Sequence, residues 1–214
     1  NAGGASGILT NNIYGNCSLS GPAAMVNTGA GCTNTVHLAL HRSAGTMLIN
    51  NTTTGSWSGT NIFVDSNCIA RLNGDFSTTT GSSAFGLTVN GVLECPAAYY
   101  VNGTRRFVLN ASGKLTVAHA TGINGAIITT GTRSFNYTAD YEFNGTVAQV
   151  TGSFLPASLE APDTLIINNP AGVTLSTSTS TTGTLMFVSG ILHTGTNTMS
   201  VPGALSAVEG AGTA

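Results

Sequence analysis

The sequence predicts an all-β protein folded as a right-handed parallel β-helix, a β-solenoid in which short strands stack coil upon coil. Short apolar runs recur along the chain and are separated by Gly, Asn, Ser and Thr. Each run is too short for a stable helix, and its β-branched residues favour an extended strand. The clearest series is in the last quarter of the chain, at Leu165–Ile167, Gly172–Leu175, Gly183–Val188 and Gly190–Leu192.

The strands predicted before that series follow the same pattern. In the first eighty residues, the clearest apolar run is Leu38–Leu40, which His37 and His41 flank. From about residue 85 onward the runs are closer together, and no segment has helical periodicity. We predict further strands at Phe85–Val89, Gly91–Cys95, Arg106–Leu109, Gly113–Val117, Ala126–Ile128, Arg133–Tyr137, Tyr141–Phe143 and Thr146–Val150.

Two all-β architectures are compatible with many short strands. The alternative to the solenoid is a β-sandwich, whose strands are joined by hairpin turns and alternate cleanly between two faces. A solenoid instead uses about three short strands in a coil of roughly twenty to twenty-five residues, with Gly and Asn at the corners. The Gly-x-Leu-x-Val pattern at Gly113–Val117 favours the solenoid, because identical apolar positions then stack into one inner column.

Composition excludes several classes of function. Charged residues make up 7% of the chain, against about 25% in an ordinary soluble domain. The formal net charge of −2 cannot supply the basic face that a nucleic-acid partner requires. No stretch reaches the roughly eighteen consecutive apolar residues of a membrane-spanning helix. The first residues also lack the basic and apolar regions of a secretory signal. We expect the chain to be a mature or excised part of a longer polypeptide.

The chain divides into two parts with different sequence patterns. Residues 1–80 form an irregular, cysteine-containing N-terminal part, which we interpret as a cap or as loop-rich first coils. Residues 81–214 form the regular coils of the solenoid. We expect both parts to belong to one continuous domain.

Four cysteines, Cys17, Cys32, Cys68 and Cys95, occur in the first half of the chain. Their spacing contains no Cys-x-x-Cys pair, so a structural zinc site is not predicted. An even number favours disulfides, for which three pairings are possible. We favour Cys17 with Cys32, which would close the glycine-rich segment between them as a loop. The alternative is that the cysteines pack as small buried apolar side chains.

The regular part of the chain resembles a known family. The segments Gly113–Ile123, Thr129–Asn136, Tyr141–Gly152 and Leu165–Leu175 look like the β-strand repeat regions of large surface proteins secreted by Bacteroidetes and related bacteria. The resemblance covers residues 85–203, about half of the chain. It implies a parallel β-helix within an adhesin-like protein, exported to the cell surface, and it supplies no catalytic residues.

The acidic residues offer little support for catalysis. A polysaccharide lyase or glycoside hydrolase on a β-helix would need paired carboxylates or an acidic cluster beside a base. Asp140 and Glu142 are two apart, which places both on one face of a strand, with Arg133 as a candidate neighbour. We interpret them as a solvated outer face. His37 and His41 are too far apart on an extended strand to hold one metal ion. We predict no enzyme activity, catalytic residue, cofactor or metal site.

Several residues are candidates for contact with sugars. The aromatic side chains Trp57, Tyr100 and Tyr141 offer surfaces for glycan stacking, and Arg105 is part of the only local basic pair. Thr164 lies in the sequence Asp163-Thr164-Leu165, which resembles the O-glycosylation motif of Bacteroidetes.

These observations lead to one functional prediction. We expect an extracellular structural or adhesive β-solenoid segment, either the stalk of a cell-surface adhesin or the subunit of an extracellular filament. Its partners would be further copies, stacked end to end, or surface glycans. The alternative is a carbohydrate-binding module or a polysaccharide-degrading β-helix enzyme.

Overall fold

The computed structural model describes residues 8–19, 35–40, 44–51, 60–78 and 86–207. These residues are nearly all extended, and the helix among them, α1 (Ile123–Ala126), is a single turn. The strands are, in chain order, β1 (Ile8–Ile13), β2 (Cys17–Leu19), β3 (Thr35–Leu40), β4 (Thr46–Asn51), β5 (Thr60–Val64), β6 (Ile69–Thr78), β7 (Gly86–Val89), β8 (Val92–Cys95), β9 (Val101–Gly103), β10 (Arg106–Leu109), β11 (Lys114–Val117), β12 (Arg133–Phe135), β13 (Asp140–Phe143), β14 (Gln149–Val150), β15 (Ser158–Leu159), β16 (Thr164–Thr174), β17 (Thr179–Thr181), β18 (Thr184–His193), β19 (Met199–Ser200) and β20 (Ala204–Ala207).

The strands form three sheets that wind as a β-solenoid, in which the longest sheet stacks nine strands in its main order. The first sheet has the order β1-β3-β5-β7-β10-β12. The second has the order β2-β4-β6-β8-β11-β13-β16-β18-β20, with β9 and β14 beside this path, and the third is β15-β17-β19. All strand pairs of the described residues are parallel. This confirms the predicted parallel solenoid, because a sandwich built from hairpins would pair its strands antiparallel.

An inner column of apolar side chains runs the length of the second sheet. Its members alternate along their strands with outward residues, as the period of a β-strand requires. Consecutive members are 20 to 26 residues apart in sequence, close to the predicted coil length. The column consists of Met47, Ala70, Leu93, Leu115, Tyr141, Leu165, Leu185 and Leu205.

A matching column lines the first sheet and completes the core. Its backbone partners are Leu40, Val64, Val89, Leu109 and Phe135. The first four of these side chains are buried, and Phe135 packs partly exposed at the last strand of the sheet. Because each coil adds one residue to every column, burial of apolar surface stabilises the fold coil by coil.

The buried side-chain amide of Gln149 makes four hydrogen bonds where the second sheet turns a corner. The Gln149 side chain donates from Nε2 to the carbonyl oxygens of Val117 (2.8 Å) and His119 (3.0 Å). Its Oε1 accepts from the Gly145 amide and from Asn169 Nδ2, both at 3.2 Å. Gln149 is 2% exposed, and these four bonds satisfy both polar atoms of its buried amide.

Close backbone packing explains two glycines. A side chain at Gly86 would collide with the Arg106 carbonyl of the next coil. Gly190 has φ +86° and faces the Asn169 backbone, at an irregularity in the pairing of β16 with β18. A residue with a Cβ atom fits neither position without backbone movement.

The described strands before residue 80 join the same sheets as the later ones. β6 pairs with β8 in the second sheet, and β5 pairs with β7 in the first. The stacking of strands is therefore continuous across the boundary between the irregular and the regular part of the sequence. Within the described part of the chain, no helix is long and apolar enough to cross a membrane.

Candidate functional site

The structure places two of the predicted glycan contacts in the interior. Tyr141 lies in the inner column of the second sheet with 1% exposure, and its hydroxyl donates to the Asn136 carbonyl at 2.7 Å. Arg105 is also 1% exposed, and burial lowers the pKa of its guanidinium. Neither side chain presents a surface to a sugar. For Tyr141 the reason is strand alternation, which turns Asp140 and Glu142 outward and the ring inward.

The other two predicted glycan contacts are Tyr100, which the structure describes, and Trp57, which it does not. Tyr100 is partly exposed at a corner of the solenoid, where its backbone amide donates to Asp75 Oδ1 at 3.4 Å. A hydrogen bond with the Asp75 side chain raises the pKa of the Tyr100 hydroxyl. Trp57 lies outside the described residues. Of the three predicted contacts that the structure describes, Tyr100 is the one that stays accessible.

No disulfide is formed among the described residues, and Cys17, for which we favour a bond to Cys32, is a free thiol. Cys17, Cys68 and Cys95 are buried thiols in this structure, and Cys32 lies outside the described residues. Cys17 is paired through its backbone with Ile49 in the interior of the second sheet. Burial raises the pKa of the Cys17 and Cys95 thiols, and the neighbouring Glu94 adds to the effect at Cys95. These cysteines therefore pack as small apolar side chains with little thiolate character.

The predicted glycosylation motif spans an inner and an outer position. Thr164 begins β16 on the outer face and is half-buried, and its amide donates to Asp140 Oδ1 at 2.7 Å. Leu165 lies in the inner column, and Asp163 is 1% exposed. Burial, together with the charges of Asp140 and Glu160, raises the pKa of Asp163 to about 6. Modification of Thr164 stays a prediction.

A ladder of charged and polar side chains follows the outer face of the second sheet. Its members are Arg71 on β6, Glu94 on β8, Thr116 on β11 and Glu142 on β13, which are backbone partners from strand to strand. Arg71 and Glu94 form an ion pair at 3.7 Å. Lys114 Nζ lies 2.7 Å from Glu142 Oε2. Both carboxylates of the ladder, Glu94 and Glu142, are thus paired with a cation.

The environment of Glu142 favours its ionised form. Burial alone would raise the pKa of this carboxyl, but a hydrogen bond from Asn168 Nδ2 at 2.9 Å and the Lys114 ammonium lower it below the ordinary value. Asp140 and Glu142 share the outer face, as the spacing predicts. The pairing of Glu142 indicates a structural role within the ladder.

We expect Glu142→Gln to destabilise the protein slightly, by about 1 kcal/mol at pH 7, because it removes the charge that Lys114 faces. Glu142 has a lowered pKa in the folded state, so its stabilising effect is present at neutral pH and is lost as the pH falls through that pKa. Urea unfolding of Glu142→Gln, Lys114→Gln and the double variant measures the coupling. Additive losses would contradict an interaction between the two side chains.

A groove lies beside this ladder, where the second sheet turns its corner. Its volume is about 350 Å³. Arg71, Glu94 and Thr116 form its polar wall, and Asn144 and Thr146 lie at the far end, after β13. Pro96, Ala97 and Ala118 contribute apolar surface. The groove therefore crosses the positions of four successive strands of the second sheet.

One polar atom of the groove has no hydrogen-bond partner in the structure. The Asn144 Oδ1 atom is shielded by the surrounding protein, yet no donor approaches it. A buried acceptor without a partner is costly, so Asn144 Oδ1 is the least well satisfied polar atom among the residues that line the groove.

Sequence reasoning missed this groove. Its polar residues are distributed from position 71 to position 146, and only Asn144 and Thr146 are close to each other in sequence. The available signal was the outer position of each predicted strand: once the strands are aligned by their inner apolar residues, Glu94, Thr116 and Glu142 fall in one row.

Metal-ligand geometry is not found in the described ranges, where no three His, Cys, Asp or Glu side chains converge. His37 lies on β3, and His41 is outside the described residues. His119 Nδ1 is 3.0 Å from the Thr121 hydroxyl.

A scan against protein-family models, a search of curated proteins and a search of solved structures gave no match to this chain.

Proposed function

We propose that this protein is an extracellular structural and adhesive β-solenoid segment that lengthens by stacking one copy on the next. The observation that carries the proposal is an exposed core position in the last described coil. Among the described residues, Leu205 is the last member of the inner column and is 69% exposed, although its partner Leu185 is 3% exposed. An aliphatic side chain in a core position with most of its surface in water favours a further coil above it.

The backbone of the last strand supports the same proposal. β20 is at the end of the sheet order, and within the described residues it pairs with β18 alone. The edge of β20 that faces away from β18 carries amide and carbonyl groups that a further strand can pair with. The strand of a second copy that would pair there is β2, which lies at the opposite end of the same sheet order.

The low charge of the chain is compatible with self-association. The formal net charge is −2 over 214 residues, so repulsion between stacked copies is weak. The resemblance to secreted Bacteroidetes surface proteins suggests the place of action, which we propose to be outside the cell, at the bacterial surface. A stiff rod in that position serves as the stalk of an adhesin or as a filament subunit.

We expect Leu205→Asp to prevent end-to-end association. Sedimentation at rising protein concentration and negative-stain electron microscopy compare it with the unmodified chain. The unmodified chain should form rods whose lengths are multiples of about 40 Å, the height of nine stacked strands. In the variant, association should weaken at least about tenfold, because a charge replaces the stacking leucine.

Val147→Asp is the matched control, since Val147 is 55% exposed but lies three strands before the last coil. It should associate as the unmodified chain does. A chain that stays monomeric at high concentration, or rods that are equally sensitive to both variants, would refute stacking through the last coil.

A further inference from the structure

The groove beside the outer ladder has the form of a binding site for a chain-like ligand. We propose that it binds a neutral polysaccharide, with the sugar chain lying along the solenoid axis. This inference gives the adhesive part of the proposed function a ligand class and rests on that function. The groove extends from Arg71 on β6 to Asn144 beyond β13. Four stacked strands span about 14 Å, which corresponds to several sugar units rather than one.

The lining of the groove matches a ligand that carries hydroxyl groups and no net charge. Arg71 and Glu94 offset each other's charge at 3.7 Å. Thr116, Asn144 and Thr146 add hydroxyl and amide groups. Polar groups of this kind fix the orientation of a ligand, and apolar surface from Pro96, Ala97 and Ala118 contacts its carbon skeleton. A sugar presents both hydroxyl groups and apolar C–H faces.

Asn144 supplies the most specific argument. Its Oδ1 atom is buried without a donor. Because the atom is covered by protein as the side chain stands, a sugar hydroxyl reaches it when the Asn144 side chain turns toward the groove that it lines. The hydrogen bond then removes the cost of leaving the acceptor unpaired.

Other classes of ligand fit the groove less well. A nucleic acid or a sulfated chain needs several cations, but Arg71 is already paired with Glu94. An acidic polysaccharide would meet the carboxylate of Glu94. A peptide that adds a strand needs the edge of a sheet, whereas the groove lies on a sheet face. A neutral glycan is the class that remains.

The test uses an array of neutral oligosaccharides of glucose, mannose, xylose and galactose, together with oligogalacturonate and alginate fragments as acidic probes. Native gel electrophoresis in the corresponding polysaccharide then gives the affinity. We expect at least one neutral glycan to be retained. Asn144→Ala should weaken that binding about fivefold, the effect of one lost hydrogen bond. Ala97→Leu should abolish it, because the larger side chain occupies the groove.

Each variant has a matched control. Asn102 Oδ1 is also buried without a partner but lies outside the groove, on β9, so Asn102→Ala should bind normally. Ala98 is exposed and adjacent to Ala97 but does not line the groove, so Ala98→Leu should also bind normally.

Three outcomes would overturn the inference: retention of no neutral glycan, retention of acidic glycans alone, or binding that Asn144→Ala and Ala97→Leu leave unchanged. All measurements are repeated on Leu205→Asp. If the unmodified chain forms no rods but retains glycan, the proposal of end-to-end stacking is refuted and the proposal of glycan binding is supported. If rods form but no glycan is retained, glycan binding is refuted and stacking is supported.

Discussion

Replacing Leu115 by aspartate is expected to abolish the cooperative fold. Leu115 is fully buried in the middle of the inner column, between Leu93 and Tyr141. Truncating such a leucine costs about 2–5 kcal/mol, and an unpaired carboxylate in its place adds several kcal/mol more. The sum is comparable with the whole stability of an ordinary domain, about 5–15 kcal/mol.

Far-ultraviolet circular dichroism and urea unfolding measure this effect. Leu115→Ala provides a milder test, because it should leave a folded protein with a lower unfolding midpoint. Val147→Asp, which introduces the same charge at an exposed position, should change the midpoint little. If Leu115→Asp unfolded as the unmodified chain does, the inner column could not be the source of stability.

Replacing Asp163 by asparagine is expected to stabilise the protein, and the gain should depend on pH. Asp163 is 1% exposed, and neither of its carboxylate oxygens has a hydrogen-bond partner. Its side chain lies against the backbone of Gly183 in the next coil. Burial is the main cause of its raised pKa, and the charges of Asp140 and Glu160 contribute.

The sign of the pH dependence follows from this shift. The folded protein holds the Asp163 proton more tightly than the unfolded chain does, because its pKa is about 6 when folded. The contribution of Asp163 to stability is therefore fully present below about pH 4 and is lost as the pH rises through about 6. Asparagine is neutral at every pH, so the loss should disappear in the variant.

We expect Asp163→Asn to be more stable than the unmodified chain by about 2 kcal/mol at pH 8 and to differ little at pH 4. Urea unfolding at pH 4, 6 and 8 measures the difference. Glu160→Gln, which removes one neighbouring charge, should give a smaller gain. A difference that is the same at all three pH values, or a loss of stability at pH 8, would show that Asp163 is not a buried titrating carboxyl.

The sequence was sufficient to predict the fold because the relevant signal is local. In Asp140–Phe143, for example, polar and apolar residues alternate, and the structure has a strand there with Tyr141 and Phe143 inward. The same alternation shows that Tyr141 cannot stack on a sugar, since Asp140 and Glu142 share the opposite face. The prediction that Asp140 and Glu142 face outward therefore implies that the Tyr141 ring faces inward.

The groove and the burial of Arg105 depend on contacts between distant coils. The length of each corner decides which residues become neighbours, and corner length varies without changing the pattern of the strands. Arginine is rarely fully buried, so composition rules place Arg105 at the surface. Its segment is held by a contact with the next coil, where the Thr129 hydroxyl donates to the Arg105 carbonyl from 24 residues away.

The parallel stacking of coils also determines how the protein responds to force. The hydrogen bonds between neighbouring strands point along the axis of the rod, so tension between its two ends loads them in turn, one coil at a time. Each coil that detaches releases 20 to 26 residues of chain, while the coils behind it keep their own contacts. A rod of this design yields gradually under a sustained pull and does not break in a single event.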